Sequence, residues 1–136
     1  MREQYLLDTC TVIELIRDGY GPVGRKLVES GGINHVAMSD ITLYELLCGA
    51  HNSRFPEKNI SYVKSILSWM KVVPTSDAYE EAALQRARLR KAGAIIDDFD
   101  LLIGCTAKVL NRTLVTDNIR HLGRIEGLKV ENWMFH

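Results

Sequence analysis

The sequence predicts an α/β fold of three layers: a central, mostly parallel sheet of four or five short strands, flanked by helices on both faces. Two observations carry this. Short apolar segments of strand character alternate along the chain with longer segments whose apolar residues recur at helical spacing. The 136 residues, 46% apolar and 25% charged, suit one soluble domain over residues 1–136 with a real core. No repeat, low-complexity segment or linker divides them.

Taken in order, "QYLLD" reads as a buried strand ending on Asp8. "TCTVIELIRDG" has apolar residues at 12, 13, 15 and 16, a helical stripe stopped by Gly19. "GPVGRKLVESGG" puts Pro22 near a helix start and a double glycine at its end. "HVAMS" reads as a strand and "DITLYELLCGAH" as a helix with Ser39 or Asp40 at its N-cap. "PEKNISYVKSILSWMK" repeats apolar residues at 60, 63, 66, 67 and 70, so one face of a helix is greasy. "VVP" is a brief strand. "SDAYEEAALQRARLRKAG" is a helix capped by Ser76 or Asp77 and closed by Gly93. "FDLLIGCTAKVLN" is apolar nearly all round, hence a buried helix. "TLVTD" is a strand ending on Asp117, and "LKVENW" is a last short strand.

Composition narrows the function. Lys plus Arg equals Asp plus Glu, 17 each, so no global field gathers nucleic acid or anionic lipid; a polyanion must meet a local patch or a bound cation. Apolar runs fall far short of the roughly 20 residues of a membrane span. "MREQYLLD" lacks a signal-peptide layout, and Cys10, Cys48 and Cys105 are scattered, so reduced thiols in a cytoplasm are expected, each as a small core residue. Neither these nor His35, His51, His121 and His136 have zinc-site spacing.

The acids are more telling. Ligands of open parallel sheets bind beyond the carboxyl ends of the strands. Asp8 and Asp117 each stand just past an apolar strand, Glu45 lies on the helix after "HVAMS", and Asp100 opens the buried helix. Taken singly, each has a bland explanation. Asp8 is a natural N-cap, Glu45 completes a "TLYE" capping box with Thr42, Asp97 and Asp98 are helix-start acids, and Asp117 suits a turn. Together they suggest a shared pocket. Four carboxylates there repel unless a cation joins them, and an all-oxygen donor set suits Mg²⁺ or Mn²⁺. Such ions assist displacement at phosphorus.

"LLDTCTVIELI", "MSDITLYELLCGA", "AGAIIDDFDLLIGCTA", "TLVTDN" and "GLKVENW" resemble, in order and spacing over about residues 5–133, the PIN-domain ribonucleases. Within these they are most similar to the toxin half of VapBC toxin–antitoxin pairs. The resemblance implies a cytoplasmic Mg²⁺- or Mn²⁺-dependent endoribonuclease with Asp8, Glu45, Asp100 and Asp117 as catalytic and metal-holding acids. Thr9 and Thr116 are its supporting hydroxyls. It further implies transfer or ribosomal RNA as substrate, a VapB-type antitoxin that covers the acidic cleft, and a homodimer, for which Ile60, Val63 and Leu67 serve either as surface or as core. Departures are Cys10 for Asn or Ser, Phe99 for a polar residue and "GC" at 104 and 105 for two alanines. None removes an acid.

Arg86 and Arg90 lie four apart on one helix face, a phosphate track or simply a solvated face. Two other readings remain beside the toxin: a housekeeping PIN nuclease without an antitoxin, and a PIN-like module that binds RNA or protein without catalysis. An aspartyl-phosphate enzyme fits worse, since Cys10 stands where the second aspartate would be required.

Overall fold

Strand β1 (Tyr5–Leu7) is the centre of a five-stranded sheet in the order β3-β2-β1-β4-β5. The computed structural model describes residues 2–134. Its other strands are β2 (Val36–Ser39), β3 (Lys71–Val73), β4 (Thr113–Val115) and β5 (Val130–Glu131). Every pairing is parallel, so the expected "mostly parallel" sheet is parallel throughout. The chain builds outward from β1 to β2 and β3, then crosses to β4 and β5 on the other side. That reversal between β1 and β4 is the topological switch point at which such sheets open a crevice.

Among the described residues seven helices flank the sheet: α1 (Thr9–Arg17), α2 (Pro22–Glu29), α3 (Asp40–His51), α4 (Pro56–Leu67), α5 (Tyr79–Lys91), α6 (Asp98–Val109) and α7 (Ile119–Leu122). Alternation along β1 divides the core in two. Leu7 joins Val12, Val23, Leu46, Val63 and Trp133 beneath α1 to α4. Leu6 joins Ala82, Leu89, Leu101, Ile103 and Leu114 beneath α5 and α6. Val63 is buried and Ile60 and Leu67 pack against the first core, so of the two roles expected for these three residues the structure gives them that of core.

Boundaries shift where local chemistry overrides periodicity. The segment from Ser76 starts as a 3-10 turn, Ser76–Ala78, before α5 begins at Tyr79. Neither Ser76 nor Asp77 caps α5; its N-cap is Ala78, without a side-chain bond. Ser39, not Asp40, caps α3, accepting from the Thr42 amide at 3.1 Å. The strand predicted at "HVAMS" starts at Val36 because Ile33–His35 form a 3-10 turn. Helix α4 ends at Leu67, β3 takes in Lys71 and stops before Pro74, and β5 is two residues long. Helix α7 is additional to the predicted elements.

Candidate metal centre

Registry at the switch point brings the first acids together. Leu7 pairs with Val115, so Asp8 and Thr116, each the next residue, leave the sheet side by side. The Asp8 amide donates to the Val115 carbonyl at 3.0 Å. Asp8 is buried to 7% exposure, and its Oδ1 accepts from the Thr11 amide at 2.9 Å. The N-cap explanation is therefore correct for Asp8, and it fixes the carboxylate at the rim rather than removing it. Burial pushes the Asp8 carboxyl up; bonds from Thr116, Thr11 and Cys10 oppose that rise. A buried carboxylate whose charged form is disfavoured has a use for a cation.

One oxygen each of Asp8 and Asp117 and the sulfur of Cys10 lie within 4.8 Å of one another. Cys10 Sγ donates to Asp117 Oδ1 at 3.2 Å and approaches Asp8 Oδ2 at 3.6 Å. Cys10 is thus an exposed thiol among acids, not the core residue that scattered spacing suggested. Burial and then the neighbouring charges of Asp8 and Asp117 hold it protonated. Cys48 is half-buried and Cys105 fully so; for Cys105 burial raises the thiol to about 11.

Asp100 on α6 and Glu45 on α3 lie outside that 4.8 Å group. Asp100 is half-buried in the first turn of α6. Burial raises its carboxyl, and the charges of Asp97, Asp8 and Glu45 raise it further, while His121 lowers it. Those influences tie three of the four predicted acids to one neighbourhood. Glu45 does not form the anticipated capping box: its Oε1 accepts instead from the Thr9 hydroxyl at 2.6 Å, and Thr9 also approaches Thr42 Oγ1 at 3.1 Å. Thr116 is buried, and its Oγ1 accepts from the Asn118 amide at 3.0 Å. Asp97 is the helix-start acid expected, capping α6 through the Phe99 amide at 3.1 Å, and Asp98 is spent on an ion pair with Arg86.

The donor set fits a hard divalent ion. It is dominated by carboxylate oxygens, its charges repel without a cation, and hydroxyls hold Asp8 and Glu45 in place. Sequence reasoning missed His121, which lies four residues beyond Asp117 on the unpredicted α7, with Nδ1 2.7 Å from Asn118 Oδ1. Away from the acids, Arg86 and Arg90 share an exposed groove with Ala83, Ala87 and Lys91, so their common face is as expected. A second groove of about 630 Å³ runs between α1, α3 and α4, lined by Ile13, Ile16, Leu46 and Val63, with Glu45 also on its wall. No helix among the described residues is long and apolar enough to cross a membrane.

Comparison with known proteins gives a consistent result. A PIN domain family model matches residues 5–128. The chain is 35% identical over 133 residues to ribonuclease VapC2 of Rickettsia felis, covering 95% of this chain and 97% of that one. It is 30% identical over 134 residues to the tRNA(fMet)-specific endonuclease VapC of Salmonella typhimurium, covering 96% and 98%. A chain in the crystal structure of DNA-bound VapBC from Salmonella typhimurium superposes with a TM-score of 0.88 at 29% identity, covering 96% of this chain and 98% of that one.

Proposed function

The chain belongs to the PIN domain family, and from that premise we propose that it is the ribonuclease toxin of a toxin–antitoxin pair, acting in the cytoplasm on RNA. Asp8, Glu45, Asp100 and Asp117 would hold Mg²⁺ or Mn²⁺, the first three as its principal ligands. The observation that carries this reading is the buried carboxylate of Asp8 held within 4.8 Å of Asp117 and Cys10 at the switch point of the sheet. When bound, the ion lowers the pKa of water and neutralises charge gathering on phosphorus.

The chain's own residues do the positioning. The Thr11 amide and Thr116 orient Asp8, Thr9 orients Glu45, and the Cys10 thiol supplies a proton donor to Asp117. Water then attacks phosphorus in line and the bond to the 3′ oxygen breaks, leaving a 3′-hydroxyl and a 5′-phosphate. Transfer RNA is the first substrate to try, because the Salmonella relative is a tRNA(fMet)-specific endonuclease.

An antitoxin is part of the same proposal, because the structural relative from Salmonella is a VapBC complex. The apolar groove that includes Glu45 suits an amphipathic segment whose basic residue enters the acidic site in place of the ion. Homodimerisation belongs to the reading too, through surface other than Ile60, Val63 and Leu67. With Arg86 held by Asp98, the face of Arg86 and Arg90 is read as solvated surface rather than as a phosphate track.

The deciding experiment is Asp100→Asn. It is expected to abolish divalent-dependent cleavage of transfer RNA while circular dichroism stays that of the parent. Cleavage at the parental rate overturns the assignment.

A further inference from the structure

We propose that Tyr44 and Phe99 form a seat for an unpaired nucleobase beside the scissile phosphate, an inference that rests on the nuclease reading above. Both residues are exposed at the surface, Tyr44 to 56% and Phe99 to 39%. They meet edge to face, with centroids 6.0 Å apart and planes at 86°. Each directly precedes a proposed metal-holding acid in the chain, Tyr44 before Glu45 on α3 and Phe99 before Asp100 on α6. The ring contact brings α3 and α6 together at these two residues, so each ring lies one residue along the chain from a proposed metal-holding acid.

Charge explains why rings belong there. The chain has no net charge, and the site itself is a cluster of acids that repels phosphate until an ion arrives. On α5, Arg86 is engaged by Asp98. Affinity for RNA must then draw on something besides phosphate attraction, and base–aromatic stacking is the available source, indifferent to base identity because every base has a π-face. A base inside a duplex already has both faces covered, so the seat admits only nucleotides of single strands, loops or bulges.

The test measures binding of a fluorescent oligouridine and of the matching abasic sugar–phosphate chain, with Ca²⁺ replacing Mg²⁺. The parent is expected to prefer the base-bearing chain by roughly tenfold or more. Tyr44→Leu with Phe99→Leu should erase that preference while leaving abasic binding unchanged, and Tyr44→Phe with Phe99→Tyr should keep it. Retention of the preference in the leucine variant overturns the proposal, as does an equal loss for both chains. Turnover is scored separately with Asp100→Asn, which should lose cleavage and keep the preference. A parent with the preference but no turnover sinks the nuclease reading; a parent with turnover but no ring-dependent preference sinks this one.

Discussion

Asp8 shows that a structural role and a chemical one need not compete. Capping α1 satisfies an amide that burial would otherwise leave unpaired, and the same contact fixes the carboxylate where β1 ends. Thr9 plays a comparable part for Glu45. Replacing Thr9 by Val removes the 2.6 Å bond and leaves the helix start otherwise similar in shape. The expected cost is about 10–100-fold in Mn²⁺ affinity, the usual effect of losing a group that orients a metal-holding side chain. Titration calorimetry reads it directly; parental affinity would show that Thr9 does not position Glu45. At this scale the placement of Asp8 and Asp117 was legible in the sequence because strand ends can be located from apolar triplets. The environment of Cys10 was not, because it depends on β4 lying beside β1, a pairing more than a hundred residues apart.

Elements were legible where a long apolar stripe or a glycine marked them. Gly93 closes α5 as predicted, with φ +66° and the Ala94 amide returning to the Leu89 carbonyl at 2.9 Å, a Schellman closure. Short elements escaped: the four residues of α7 are too few for any period to show, which is why His121, weighed only for zinc-site spacing, was not placed near the acids. The start of α5 was misplaced because Ser76 and Asp77 look like caps, yet Thr75 to Tyr79 wind as a tighter turn first. Packing between elements leaves its own test at Gly24 on α2. A Cβ there would stand 1.9 Å from the Gly19 carbonyl oxygen, a backbone atom that cannot swing aside. Gly24→Ala is accordingly expected to destabilise the protein by about 1–3 kcal/mol. Urea unfolding measures this, and an unchanged midpoint would mean that the α1–α2 turn yields more freely than its close approach implies.

For the whole molecule, the acids at the switch point couple folding, pH and metal. Asp8 and Asp100 both have carboxyls raised above the ordinary range, by burial first and, for Asp100, by neighbouring negative charge. The folded chain therefore holds these protons more tightly than the unfolded chain does. Linkage fixes the sign: the contribution is most favourable below the ordinary carboxylate pKa and is lost as pH rises through the raised values. A divalent ion reverses the penalty by taking the place of those protons. Without metal, the share of stability due to these two groups should decline across that window, whereas saturating Mn²⁺ should restore it. Ion at a hundred times its dissociation constant contributes about 2.7 kcal/mol. The difference in melting temperature between Mn²⁺ and chelator should consequently widen as pH rises from the acid range toward neutrality. In Asp100→Asn the like charge is gone, so the metal-free protein should lose less stability over the same range while the Mn²⁺ response shrinks. A melting difference that stays flat with pH would separate the two carboxyls from the ion and leave their repulsion without a counterpart.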